Sequence, residues 1–564
     1  PCPSLRCSER HPAQESGRMS QNAMTTAGDP PAESQPNLGA VFTRRWVVEL
    51  ILDLAGYTSD HDLGGSTAVE PSIGHGAFLL PMVERLLASA RAHGRVLSDL
   101  QDAIIGFDID PDAVAIAQRK VLTTLRTSGL GSATSKRLAS TWVCPGDFLT
   151  TAPELPSARW VIGNPPYVRV EDVDRDSMAA YRRSWRTMSG RADIYVGFLE
   201  AGLSLLETDG TMAVICADRW MRNQYGAGLR TLIEDSHAVR ACIVMHEVNA
   251  FEDKVAAYPA ISVIQKARQG PALVCDASSS FDAAAAHRLL GTYRRGSAPI
   301  GHDPDYRLSW TAGWFHGAGS WPDADPDRLG SLTALEARFP LLEDTGARVS
   351  VGVATGADDI FITDRAGNTE SACLLKAISA KEIRSGRIEW TGRYLVNPWG
   401  PKGLLPLEDH PGMAAYLRRH STKLKARHVA KKSPAAWWRT IDRVDESLAG
   451  WPKLLVPDLK DRIFPVLDTG EYYPGHSLYY ITSDTWDLEV LGGLLLSDIA
   501  NMFVEAYSVR MANGYLRVSA QYLRRVRVPR PQAVRGAVED DLRKAFRTRD
   551  VDLANKAARI AYGC

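Results

Sequence analysis

The sequence predicts an α/β protein whose first half is a doubly wound parallel sheet, and three observations predict it. Short apolar runs alternate with segments of helical period over more than two hundred residues. One run, Thr67-Ala68-Val69, passes through a glycine turn, Glu70-Pro71-Ser72-Ile73-Gly74-His75-Gly76-Ala77-Phe78, into an apolar helix. Another, Trp160-Val161-Ile162-Gly163, is stopped by Asn164-Pro165-Pro166-Tyr167. In doubly wound sheets ligands bind beyond the carboxyl ends of the strands, and that is where these chemistry-bearing residues fall.

A chain of 564 residues exceeds one ordinary core, so two domains are expected. A hydrophobic content of 45% and a charged content of 23% are those of a globular protein, and no apolar run approaches a membrane span or signal peptide. The eight cysteines form no C-x-x-C pair, which predicts neither a metal site nor a disulfide framework and fits a cytoplasmic protein. The net charge of zero hides a split: residues 331–564 carry 34 Lys and Arg against 28 Asp and Glu, leaving 32 against 38 before them. The second half is the better candidate for meeting a polyanion.

Residues 1–37, rich in Ser, Pro and Gln, read as a disordered leader, with Met19 or Met24 a more natural start than Pro1. Thr43 is placed to cap a helix containing Trp46, Val47, Leu50, Ile51 and Leu54. It could also hold a ligand carboxylate at that helix end. Gly74 and Gly76 let the backbone approach a cofactor closely, while Glu70-Pro71 and the lack of a third glycine point away from NAD. The next strand, 103–107, ends at Asp108, placed to bind ribose hydroxyls; Asp110 with Pro111 caps the following helix. A third strand, 142–144, leads to Gly146-Asp147-Phe148, where Asp147 can accept from an adenine amine and Phe148 can cover the ring.

Two prolines make Asn164-Pro165-Pro166 a stiff extended turn. The Asn164 carboxamide oxygen and Pro165 carbonyl can accept from an amine on a planar ring while Tyr167 stacks on it. The plain alternative is a strand-ending turn, but Asn-Pro-Pro-aromatic arises by chance in roughly one chain of this size in a few hundred. Beyond it come an apolar helix to Leu206, a strand at 212–216, a helix over 223–233 and strands at 241–245 and 260–265 that flank Phe251-Glu252-Asp253-Lys254. Residues 271–340, with isolated Trp310, Trp314 and Trp321, read as a connection.

Glu70-Pro71-Ser72-x-Gly74-x-Gly76-x-Phe78, Asp108, Gly146-Asp147-Phe148 and Asn164-Pro165-Pro166-Tyr167, in that order, resemble the gamma-class N6-adenine DNA methyltransferases of bacterial restriction–modification systems. The resemblance covers about residues 38–270. It implies a Rossmann-like S-adenosylmethionine-dependent methyltransferase domain there, a connection over 271–340 and a mixed α+β target-recognition domain over 341–564. It also implies that Thr43, Glu70, Gly74, Gly76, Asp108, Asp147 and Phe148 hold S-adenosylmethionine. Asn164, Pro165, Pro166 and Tyr167 would hold the adenine, with Phe251 as a second aromatic packing on the base. Arg44 stands where the family often has proline after the threonine. No metal is expected. The implied partners are double-stranded DNA and a separately encoded restriction endonuclease that need not form a stable complex; the protein would act as a monomer.

The second half supplies basic clusters with aromatics among them. Arg418, Arg419, Lys423, Lys425, Arg427, Lys431, Lys432 and Arg439 lie with Trp437 and Trp438 in an acid-free stretch, 411–440. Five arginines, Arg517, Arg524 and Arg525 among them, fall in another at 511–530, around Gly514-Tyr515. Such stretches suit phosphate contacts, a solvated helix face being the plain alternative. The Asn-Pro-Pro-Tyr motif also occurs in release-factor glutamine and some RNA methyltransferases, but the long basic second half has little use there. A fused nuclease is disfavoured because fewer than forty-five residues precede the first helix and no nuclease constellation follows. A DNA-binding subunit without activity is disfavoured by the intact motifs.

Overall fold

The computed structural model describes residues 41–253, 258–296, 302–315, 317–322, 325–365, 367–508 and 516–564; the expected leader, Lys254 and the Gly514-Tyr515 pair lie outside the described residues. The chain divides into two units, 1–326 and 327–564.

In the first unit ten strands form one sheet: β1 (Ala68–Glu70), β2 (Ile104–Asp108), β3 (Val143–Pro145), β4 (Ala158–Gly163), β5 (Leu206–Ala217), β6 (Ala238–Val244), β7 (Pro259–Gln265), β8 (Ala272–Ala277), β9 (His302–Asp303) and β10 (Tyr306–Thr311). Their order is β3-β2-β1-β4-β5-β7-β6-β8-β10-β9. The first five in that order are parallel, and the order reverses between β1 and β4. That reversal opens a crevice at the carboxyl ends of β1 and β4, the ends that carry the glycine turn and the proline turn.

The sheet is not wholly parallel, which corrects the sequence expectation. β7 runs antiparallel to both β5 and β6. The segment between β6 and β7 carries no helix among its described residues, and without a crossover helix the chain returns antiparallel. A second correction concerns 271–340. β8 pairs parallel with β6, and β10 antiparallel with β8, so 272–311 extends the sheet instead of leaving it. Trp314 and Trp321 are buried, and Trp321 meets Trp220 edge-on at 5.6 Å.

Helices α1 (Arg45–Leu54), α2 (Leu79–Ala92), α3 (Pro111–Thr127), α4 (Ser132–Trp142), α5 (Phe148–Thr151), α6 (Arg175–Ser184), α7 (Ile194–Leu205), α8 (Ala227–Ser236) and α9 (Ala283–Arg295) complete this unit. One face of the sheet packs on α1, α2, α3 and α9 through Val47, Ile51, Met82, Val83, Leu86, Val121 and Leu289. Residues of α7 are buried on nearly every side, as its predominantly apolar sequence requires, and the buried Glu200 accepts from Arg186 N and Thr187 N. Asp110 accepts from Asp112 N at 2.9 Å with Pro111 as the first residue of α3, so the expected cap forms.

The second unit is mixed α+β. Strands 347–351, 478–483, 453–457 and 466–468 form an antiparallel four-stranded sheet, and 362–363, 394–396, 374–378 and 473–474 form a second, mixed one in which the last pair is parallel. The first sheet holds a buried ion pair: Lys453 Nζ lies 2.8 Å from Asp468 Oδ2, the side chains 0% and 1% exposed. Helices 488–496 and 498–507 join at a 65° bend. Among the described residues no single helix is long and apolar enough to cross a membrane.

Candidate active site

The two turns touch. Ser72 Oγ donates to the main-chain carbonyl of Asn164 at 2.8 Å. A Cβ at Gly163 would sit 3.4 Å from Pro71 Cδ and 3.6 Å from Glu70 Cγ, so the ends of β1 and β4 abut along their backbones.

Asn164 is held in one orientation. Its Nδ2 donates to the carbonyl of Val41 at 3.1 Å and to Thr43 Oγ1 at 3.2 Å. A carbonyl can only accept, so these partners fix which end of the amide is nitrogen. Oδ1 therefore points the other way, and it is buried with no hydrogen-bond partner. An unmet buried acceptor costs ~1–3 kcal/mol.

Thr43 does not cap α1, contrary to expectation. Arg44 occupies the cap position, accepting from Val47 N and Val48 N through its carbonyl. Thr43 is instead extended, in an antiparallel bridge with Phe251, flanked by Arg44 N to Ala250 O at 3.0 Å and Glu252 N to Phe42 O at 2.9 Å. Its hydroxyl faces Asn164. Phe251 is thereby brought to Tyr167, ring centroids 6.3 Å apart and planes at 80°. The Tyr167 hydroxyl is buried without a partner, and burial, with a smaller contribution from Cys216, pushes its pKa well above the ordinary phenol value. Pro165 is buried and Pro166 partly so.

On the glycine side, Glu70 is completely buried and both carboxylate oxygens lack partners. Burial pushes its pKa well above the usual carboxylate range, and the charge of Asp108 adds to the shift. Asp108 Oδ2 accepts from Gly74 N at 2.7 Å and Oδ1 from Asp110 N at 2.9 Å, so this carboxylate shapes the turn it was expected to serve. Gly74 and Gly76 have φ of +52° and +87°, a backbone that side-chain-bearing residues rarely adopt. Phe42 stacks on His75 at 4.7 Å.

Asp147 accepts from Leu149 N at 3.0 Å and caps α5. Phe148 is 1% exposed and packed between Phe107 and Phe198, so its ring belongs to the core and presents no free face. That corrects the expectation that it covers a ligand ring: the first residue of a short helix turns inward under the sheet.

The basic residues of the second unit fall into two groups. Arg418, Arg419, Lys425, Lys431, Lys432 and Arg517 are exposed. Arg427 is not a free cation: it donates to the carbonyls of Thr355 at 2.9 Å, Trp437 at 2.9 Å and Arg439 at 2.7 Å, and burial lowers its pKa. Lys423 pairs with Asp359 at 2.6 Å. Arg524 donates to Val349 O at 2.6 Å and pairs with Glu343 at 3.2 Å, and Arg525 lies over the Tyr507 ring. For Arg427 the expectation of phosphate contact is corrected, because saturated guanidinium hydrogen bonds have tied loops together.

Nothing in the sequence assigns a task to Ser72 or points to the Val41 carbonyl. A backbone acceptor more than a hundred residues away leaves no signal in the sequence. Glu370, Cys373 and His410, side chains of types that can hold a metal ion, also come together, with Cys373 Sγ 3.5 Å from His410 Nδ1. There Glu370 already accepts from Gly412 N and Met413 N.

A buried carboxylate without a partner ends β1, and a buried amide oxygen without a partner lies in the turn after β4, so the switch point of this sheet is the candidate site of an S-adenosylmethionine-dependent methyltransferase. Glu70 suits a cationic amino group, and the left-handed glycines suit close approach of a large ligand, so the residues fit that cofactor. A family model described as Eco57I restriction-modification methylase matches residues 102–251. Type II methyltransferase M.PaeR7I of Pseudomonas aeruginosa is 40% identical over 530 residues, covering 93% of this chain and 92% of that one. M.XhoI of Xanthomonas vasicola is 38% identical, covering 93% and 97%. Among solved structures, the type IIL restriction-modification enzyme MmeI in complex with DNA has a similar fold, with a TM-score of 0.55 and 12% identity over 92% of this chain and 73% of that one. The chain belongs to the type II DNA methyltransferases of bacterial restriction–modification systems.

Proposed function

We propose that this methyltransferase acts on N6 of an adenine flipped out of duplex DNA, and that the mark protects host DNA from a separately encoded restriction endonuclease. The observation that carries the reading is Asn164: its nitrogen is anchored, and its buried oxygen has no partner. An exocyclic amine is the group that such an acceptor recognises. An adenine in a duplex has that amine engaged with thymine, so the base must leave the stack.

When bound, S-adenosylmethionine would supply a sulfonium methyl whose carbon the amine nitrogen can attack as the S–C bond breaks, S-adenosylhomocysteine leaving and the nitrogen giving up one proton to water, with no need of a metal or covalent intermediate. Glu70, Gly74, Gly76 and Asp108 are assigned to hold it, with Asp147 at the neighbouring strand end. Asn164 Oδ1 and the Pro165 carbonyl accept the two amine hydrogens and turn the lone pair away from the ring plane. Pro166 stiffens the turn, so the geometry is set before the base arrives, and positioning supplies much of the rate. Tyr167 and Phe251 offset lost stacking, worth ~1–3 kcal/mol per base; with planes at 80°, one meets the base face-on and the other edge-on. Arg418, Arg419, Lys425, Lys431, Lys432 and Arg517 are assigned to phosphates. The monomer as the working form, and 341–564 as the part that reads the target, complete the proposal.

Sequencing DNA from cells expressing the protein for modified bases tests this. The reading requires N6-methyladenine at one fixed sequence. Modified cytosine, or no modified base, would overturn it.

A further inference from the structure

A buried charge cluster outside the described site lies at the carboxyl end of β5, the strand beside β4. Asp218 follows β5 directly and is 2% exposed. Its Oδ2 pairs with Arg222 and lies 2.9 Å from His246 Nε2, while Oδ1 has no partner. Burial alone would raise its pKa, but Arg222 and His246 outweigh it and hold the carboxyl below its ordinary value. A charge kept in the interior at this cost needs a reason.

The cluster grips the base of one loop. His246 is the second residue of the segment between β6 and β7, and Tyr258 is its last. Asp218 N donates to Tyr258 O at 3.0 Å, and Met245 N donates to Pro259 O at 2.9 Å. The Tyr258 ring packs edge-on against His246 at 5.1 Å, with Arg219 over it at 5.6 Å. The groups facing Asp218 are thus Arg222, His246, Arg219 on Tyr258, and the neutral thiols of Cys216 and Cys242. Phe251 sits on that loop, tied on its other side by the bridge to Thr43 and its flanking backbone bonds. Cys216 is an electrostatic neighbour of Tyr167 as well as of Asp218, which places the cluster beside the aromatic pair.

We infer that Asp218 is a positioning residue: through its bonds to His246 and to Tyr258 it holds the β6–β7 loop so that Phe251 meets the base beside Tyr167. It touches neither base nor cofactor. The inference rests on the stacking role proposed for Phe251, and the test separates the two.

The test is a double-mutant cycle with Asp218→Asn, Phe251→Ala and the pair, on the full chain. Transfer of labelled methyl from S-adenosylmethionine into plasmid DNA gives kcat and the KM for DNA; cofactor Kd and Tm are measured for each variant. Asp218→Asn is expected to lower kcat about tenfold, a coupling of ordinary size for groups acting as a unit, with cofactor Kd within about twofold. In the Phe251→Ala background the same change should cost less than about twofold. An equal loss in both backgrounds would overturn the inference. Phe251→Ala with full activity would instead remove the stacking role, and the inference with it. His246→Gln, which leaves the Asp218–Arg222 pair in place, serves if Asp218→Asn lowers Tm, and must show the same non-additivity.

Discussion

The Ser72 hydroxyl hydrogen-bonds the main-chain carbonyl of Asn164 at 2.8 Å, so the glycine turn and the proline turn are one assembly. Two sequence motifs ninety-two positions apart share a hydrogen bond because β1 and β4 are neighbours in the sheet. Each strand end then leaves a buried acceptor without a partner.

Asn164→Ala should lower methyl transfer at least about a hundredfold, the scale on which misplacing a reacting group acts. S-adenosylmethionine Kd should stay within about twofold. Equal loss of both, by single-turnover kinetics and calorimetry, would contradict the assignment. Ser72→Ala, which loosens the turn without removing the acceptor, should cost less.

Glu70 sets stability against function. Because its folded pKa is raised, the protein without cofactor is most stable below the ordinary glutamate pKa and loses that stability as pH rises through the folded value. Glu70→Gln should therefore raise Tm at neutral pH by a few degrees, about 1 kcal/mol corresponding to about 2 °C or more in a large domain. The same variant should bind S-adenosylmethionine at least about tenfold more weakly, having lost the charge. A lower Tm in calorimetry would show that the buried carboxylate is satisfied in a way the structure does not display.

Lys453 and Asp468 should behave as a buried pair. Asp468→Ala removes the countercharge of the buried ammonium, leaving it the carbonyls of Leu448 and Trp451, and removes the acceptor for Gly470 N and Glu471 N, with an expected cost of ~3–5 kcal/mol in chemical unfolding of the second unit. Lys453→Met with Asp468→Leu should cost less than the single change.

Arg427 and Lys431 look alike in sequence and should differ in effect. Arg427→Ala should lower Tm, since three loop carbonyls lose their donor. Lys431→Ala should leave Tm unchanged and reduce the slope of log affinity against log salt for duplex DNA by about 1. The reverse pattern would exchange their roles.

What was legible in the sequence was short-range. Pro165 and Pro166 restrict their own backbone, Asp110 caps its own helix, and apolar runs declare buried strands wherever they occur, so the motif-bearing strand ends could be placed. Pairings across the chain were not legible. Thr43 has the residue type of a cap, but its bridge to Phe251 was decided by how the β6–β7 loop returns. Arg427 has the composition of a phosphate contact, but carbonyls from 355 and 437 surround it. The strands at 272–311 lie among Ser, Asp and Gly that read as loop, and only their ladder to β6 makes them sheet. Phe251, by contrast, was placed by resemblance, and the structure brings it to Tyr167.

The central claim is that the Asn164 oxygen selects an adenine amine. It is tested most directly by incubating the pure protein with tritiated S-adenosylmethionine and unmethylated duplex DNA, digesting to nucleosides and separating them. The account predicts label in N6-methyldeoxyadenosine with the native chain and none with Asn164→Ala. Label in a methylated cytosine, or undiminished label with Asn164→Ala, would contradict it.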